Sequence, residues 1–460
     1  MISLPRIVAI DNDEEDLEQI HDALVLARIP CVTIPYDAVT WAPGDLRSQC
    51  VAVRIVLLDL NLLEGAPNAE TITPHIAEVL AAVAPAGPYI VVFWSKHKDL
   101  VDEVLARLAD RHKETVVPPI YHALLDKHDY RVTGDPAKDA ETAKKLSASL
   151  EDLLINVPVL KMLVEWESRV GTAVAHTVSR LYSLAAANNP WQRDKVESRL
   201  ADLLTWIAHE TAGRQSAGSI PGDAVDEGLH HALADELSRS PDTPGYNDRW
   251  KVAIPKVGRR DFKPAEELSA AALNEVFHID SVNIVKGERG TFALLAPEFI
   301  SQREKVKQVF GMSIKALKNE FVYLEGLEAD AKAALLDACR LGLLELSAAC
   351  DYAQRKDRSL RYVLAALISA AHASRTEFPD PEDHEGRPRE SRHEAIYRLP
   401  PIRIKDENFI CALDFRYILG LPQNHELIGK PLFRVRVPLL DEIAYRCSSH
   451  LARPGFISFH

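Results

Sequence analysis

Five short apolar runs, at about 6–11, 31–35, 53–60, 88–94 and 117–125, punctuate the first third of the chain, and helical patterning fills 14–27, 69–83, 98–111 and 137–154. Strands alternating with helices are joined by crossovers long enough to bring successive strands parallel, with helices covering both faces of the sheet. The expectation is an α/β fold opening on a doubly wound, five-stranded parallel sheet. In the first helix Leu17, Ile20, Leu24 and Val25 share a face, while Glu14, Glu15 and Asp16 occupy the first turn, where the helix dipole favours anions.

Beyond this segment the pattern becomes mainly helical. Val159, Leu163, Trp166, Val170, Val174, Val178 and Leu181 recur at spacings of three and four and predict one long amphipathic helix entered through Pro158. Asn188-Asn189-Pro190 ends it, an antiparallel partner is expected from Trp191 to about His209, and a shorter helix at 223–239. Ser240-Pro241-Asp242-Thr243-Pro244-Gly245 reads as a linker. Farther on, helices are expected at 264–277, 298–309, 313–320 and 328–340. The runs 341–346 and 362–368 fit strand or buried helix, and 376–393 reads as a polar surface loop. Strands at 397–404, 409–417 and 433–437 precede a helix at 439–451. This divides the chain into 1–155, a helical region 156–245 and a C-terminal α+β region 246–460.

A length of 460 residues exceeds one ordinary core and predicts two or three domains. The formal net charge of −13 opposes unspecific attraction to nucleic acid or anionic lipid, so neither is an expected partner. The N-terminus lacks the basic and apolar regions of a secretory signal, and no apolar run approaches the roughly 20 residues that cross a bilayer, so a cytoplasmic location is expected. The six cysteines form no C-x-x-C pair, which argues for reduced thiols rather than a disulfide framework or zinc ribbon.

Two of the strand-like runs end in carboxylates. Ile7-Val8-Ala9-Ile10 leads into Asp11-Asn12-Asp13, and Ile55-Val56-Leu57-Leu58 leads into Asp59. A sheet of this kind commonly takes the order 2-1-3-4-5, which places its ligand site beyond the carboxyl ends of strands 1 and 3. Carboxylates converging there repel one another unless a hard cation sits among them, and an oxygen-rich, hydrated site suits Mg²⁺. Ser95 follows Ile90-Val91-Val92-Phe93-Trp94, and Lys127 follows Tyr121-His122-Ala123-Leu124-Leu125-Asp126. A hydroxyl and an ammonium beside an aspartate and a cation fit phosphoryl transfer, in which the carboxylate attacks and its neighbours neutralise the phosphoryl oxygens.

This ordered set resembles the receiver domain of bacterial two-component response regulators, over about residues 5–155. The resemblance implies Asp59 as phosphoacceptor, Asp11 and Asp13 with Asp59 as Mg²⁺-site acids, Ser95 as switch hydroxyl, Lys127 as phosphate-sensing amine, and a histidine kinase as partner. The sequence departs from the family where Asn12 interrupts the usual adjacent acids, where Lys96 replaces a small residue, and where His128 replaces a proline. A receiver followed by a long region without a familiar DNA-binding module is similar to response regulators of defence-associated two-component systems. That likeness implies an antiviral setting and an effector protein answering to the same kinase.

Other readings concern the rest of the chain. An enzyme site built from Cys350, Asp351 and His278, with Glu345 and Asp280 nearby, would need the thiol within reach of a base; a buried cysteine in a satisfied polar network is the plainer alternative. Ser347–Val363, with Gln354-Arg355-Lys356 and Arg358, lacks the turn glycine of a DNA-reading helix pair. His176 has no acidic residue after it and reads as helix surface. The long helix itself fits packing in a bundle, relay of a shift from the first domain, or pairing with its counterpart in a homodimer.

Overall fold

The computed structural model describes residues 6–41, 53–63, 65, 68–95, 97–187, 191–239, 244–265, 268–282, 284–348, 352, 359–377 and 395–452. Outside them lie Lys96, the expected helix stop at 188–190, most of the expected linker and surface loop, Cys350, Asp351 and the 353–358 basic stretch. The chain forms two compact units, residues 1–179 with 233–262, and residues 180–232 with 263–460.

The first unit holds an all-parallel sheet of β1 (Ile7–Asp11), β2 (Val32–Pro35), β3 (Ile55–Leu58), β4 (Ile90–Trp94) and β5 (Tyr121–Leu125), ordered β2-β1-β3-β4-β5 as expected. Its helices are α1 (Glu14–Leu26), α2 (Ala69–Val83), α3 (Val101–Arg111) and α4 (Pro136–Ile155). Alternate residues of each central strand feed two cores. Val8, Ile10, Val56, Leu58, Val91 and Phe93 pack with α2 and α3. Ala9, Ile55, Leu57, Ile90, Val92 and Trp94 meet α1 and α4 through Leu17, Leu24, Leu146 and Leu150. Strands covered on both faces lose the apolar-polar alternation, which is why they read as unbroken apolar runs. Expected strand 117–125 begins only at Tyr121, because Pro118 and Pro119 have no N–H to give the ladder.

The long helix exists as α5 (Pro158–Ala186). One face is tied to the sheet domain: Leu160 is buried in its core, Arg6 donates to the Val164 carbonyl and Ser168 Oγ at 2.8 and 3.0 Å, and Arg54 pairs with Glu167 at 2.7 Å. A second face carries Met162, Glu165 and Arg169, which meet Tyr246, Arg249 and Trp250 of the helix Tyr246–Ala253.

The second unit carries the helices α6 (Arg193–Ala212) and Arg214–Ser219, the first part of Pro221–Arg239, and an eight-stranded sheet. That sheet is antiparallel: β6 (Ile279–Asp280), β7 (Thr291–Leu295), β8 (Cys339–Glu345), β9 (Leu360–Ser369), β10 (Ile396–Arg398), β11 (Ile402–Ile404), β12 (Glu407–Leu421) and β13 (Ile428–Val435). The runs left open between strand and buried helix are β8 and β9. Tyr362, Leu364, Ala366 and Ile368 of β9 face the helices between 297 and 338, while Val363, Ala365 and Leu367 face Leu440 and Ile443 of Val437–Leu451. Expected strand 397–404 divides into β10 and β11 at Pro400-Pro401, and expected helix 298–309 divides into Pro297–Ile300 and Arg303–Phe310.

Candidate functional site

Asp11 ends β1 and Asp59 follows β3, adjacent strands whose pairing brings the two carboxylates to one rim of the sheet. The Asp59 N–H donates to the Ile10 carbonyl at 3.0 Å, which extends the ladder by one residue and aims the side chain into the crevice. Ser95 continues β4 with its N–H bonded to the Leu125 carbonyl at 3.2 Å, and Lys127 opens the 3-10 turn Lys127–Tyr130 after β5. A cleft of about 250 Å³ is lined by Asp13, Asp16, Asp59, Ser95 and Lys127, with Asn12, Asn61, His97, His128 and Arg131 at its walls.

Lys127 is the centre of the arrangement. Its Nζ stands 2.6 Å from Asp11 Oδ2, 2.9 Å from Asp16 Oδ2 and 3.1 Å from Asp59 Oδ2. Burial alone would lower its pKa, but the Asp59 and Asp11 carboxylates outweigh that and raise it, so the amine is held protonated. Asp11 has no exposed surface, and burial, reinforced by Asp59, pushes its carboxyl up to about 6 despite the opposing pull of Lys127. Asp59 Oδ1 is buried and accepts no hydrogen bond. Such an orphaned oxygen ordinarily costs about 1–3 kcal/mol unless a cation or water meets it.

Of the expected site residues, Asp11, Asp59 and Lys127 come into direct contact. Ser95 lines the same cleft, its Oγ accepting from the His97 N–H at 3.3 Å. Asp13 lines the cleft and also caps a helix. Its Oδ1 accepts from the N–H groups of Glu15 and Asp16 at 2.9 and 3.2 Å, capping α1. The third acid at Lys127 is Asp16, in the first turn of α1, whose Oδ1 lies 3.7 Å from Arg131. Its sequence signal is position: a residue three past an N-cap faces the same side as the cap.

Among the described residues no group of three His, Cys, Asp or Glu side chains stands ready to hold a metal ion. The donor chemistry nonetheless fits a hard cation. Asp11 and Asp59 offer carboxylate oxygens, one of them without any partner, and the cleft leaves room for waters, a combination typical of Mg²⁺ held by one or two carboxylates.

Of the residues expected in a second site, Cys350 and Asp351 lie outside the described residues, and the others have the following contacts. The backbone carbonyl of His278, the last residue of the helix Ala270–His278, accepts from Arg436 N–H at 2.8 Å. Asp280 caps a turn at Val282. Glu345 is fully buried and accepts from Ser347 N–H and Gly290 N–H at 2.9 and 3.3 Å, a structural use of the carboxylate. His176 Nδ1 lies 3.9 Å from Glu236 on a largely exposed helix face. No helix among the described residues is long and apolar enough to cross a membrane. The chain matches no family model, no curated protein and no solved structure.

Proposed function

We propose that this chain is a signalling protein whose Asp59 accepts a phosphoryl group from the phosphohistidine of a partner histidine kinase in the cytoplasm. The observation carrying this reading is the contact of one buried ammonium, Lys127, with both Asp11 and Asp59 at the carboxyl rim of a 2-1-3-4-5 sheet. An Asp59 oxygen forms the new P–O bond as the P–N bond breaks, and the electron pair leaves with the imidazole nitrogen, which takes up a proton. Lys127 then exchanges a carboxylate oxygen for a phosphoryl oxygen, and Ser95 Oγ lies in the same cleft to donate a further hydrogen bond. Asp11 and Asp59 would hold the Mg²⁺, whose charge offsets that of the entering phosphoryl group. The antiviral setting and an effector protein sharing the kinase rest only on the likeness in layout.

The test is incubation of the full chain with Mg²⁺ and acetyl phosphate, followed by peptide mapping. A phosphoryl increment on the peptide containing Asp59, absent in Asp59→Ala and without Mg²⁺, is the expected result. A folded wild-type protein that stays unmodified overturns the assignment, and leaves a receiver-like fold serving as an interaction scaffold.

A further inference from the structure

The helix Tyr246–Ala253 stops at Ile254 because Pro255 disfavours helical backbone in the residue before it. Tyr246, Trp250 and Ala253 pack with Met162 of α5, and Arg249 holds Glu165, so the end of this helix is fixed. Beyond it the chain makes two tight turns, closed by the Val257 N–H donating to the Ile254 carbonyl at 3.0 Å and the Arg259 N–H to the Lys256 carbonyl at 3.2 Å. Their side chains point into solvent. Val252 is 69%, Val257 61% and Phe262 56% exposed. Ile254, Pro255, Val257 and Phe262, with Lys256 and Arg259, wall an open hollow of about 510 Å³. Lys256, Arg259 and Arg260 are exposed, and none pairs with a carboxylate among the described residues. The single acid between 252 and 262 is Asp261.

We propose that this turn docks the chain on an anionic phospholipid surface, with Val257 and Phe262 entering the acyl boundary and Lys256, Arg259 and Arg260 meeting lipid phosphates. Apolar exposure alone would suit any apolar partner, and positive charge alone any polyanion. Interleaved on one turn, they match a surface that is anionic outside and hydrocarbon about 5–10 Å beneath. Lys and Arg serve both layers, since their stems lie along apolar groups while their heads reach the phosphates. A protein partner fits less well. A specific interface takes roughly 800 Å² from each side, far more than one short turn supplies, whereas a bilayer makes no demand on shape. The net charge of −13 opposes an anionic surface at a distance, but charges are screened beyond about 8 Å at physiological salt, so the cations nearest the surface govern contact. Three cations and a small apolar tip make the attachment weak and reversible. The docking stands whether or not Asp59 accepts a phosphoryl group.

Cosedimentation of the full chain with vesicles tests it. Phosphatidylcholine vesicles carrying about a third phosphatidylglycerol should pull down the wild type, and pure phosphatidylcholine vesicles about tenfold less. Raising the salt to about 0.5 M should weaken the binding in the same way. The Arg259→Glu/Arg260→Glu and Val257→Ser/Phe262→Ser double variants should each bind about tenfold more weakly, with an unchanged thermal midpoint, because all four side chains are exposed. Should the serine pair unfold, Phe262→Ser at a 56% exposed position decides alone. A wild type that stays in solution beside the charged vesicles overturns the proposal. Undiminished binding by the charge-reversed pair overturns it too, as does undiminished binding by the serine variants, which would assign the cations to an acidic protein or a nucleic acid.

Discussion

Three carboxylates share one ammonium in the cleft, and the imbalance falls on Asp11. Its carboxyl titrates near 6 in the folded chain against an ordinary value of 3.8. Between those two values the folded protein keeps a proton that the unfolded chain has lost, so stability falls as pH rises through about 4 to 6 and levels off above. Replacing Asp11 by Asn removes that penalty while sparing most of the shape. Asp11→Asn is expected to stabilise the protein by about 1–3 kcal/mol at pH 7.5, with the gain vanishing near pH 4. Urea unfolding at both pH values reads the difference; a variant less stable than wild type at pH 7.5 would show that the Lys127 contact outweighs burial.

The ends of elements carry much of the recognition in this chain. Asp13 stands in an acid cluster after a strand and lines the cleft, and its Oδ1 also caps α1. Asp13→Ala should cost about 1 kcal/mol of stability, the usual value of such a cap, and leave Mg²⁺-dependent labelling of Asp59 in place. Loss of labelling in a folded Asp13→Ala protein would return Asp13 to the phosphoryl site. The parallel sheet was legible because each strand runs into a chemically distinct residue and each helix shows a 3.6-residue period. β8 and β9 were not, since apolar side chains on both faces erase the period that separates strand from helix. The role of Asp16 is illegible in the sequence for a related reason: one acid among Glu14, Glu15 and Asp16 reaches Lys127, and composition does not say which.

Taken as a whole, the molecule keeps its candidate phosphoryl site in one compact unit and its antiparallel sheet in another. In the second, strands crowd at Gly342, where a methyl group would stand 2.5 Å from the Phe292 ring and 2.6 Å from the Ala293 carbonyl oxygen. Gly342→Ala should therefore destabilise that unit by about 1–3 kcal/mol, because backbone on one side cannot give way. Labelling at Asp59 should persist in the same protein below its melting transition, and simultaneous loss of both would mean that the units melt as one. β1 and β3 also have two working ends. Asp11 and Asp59 sit beyond their carboxyl ends, while Arg6 and Arg54, just before their amino ends, grip α5. Five residues of extended backbone, about 16 Å, separate Asp11 from Arg6. The cleft and the grip on the helix therefore stand at opposite ends of the same two strands.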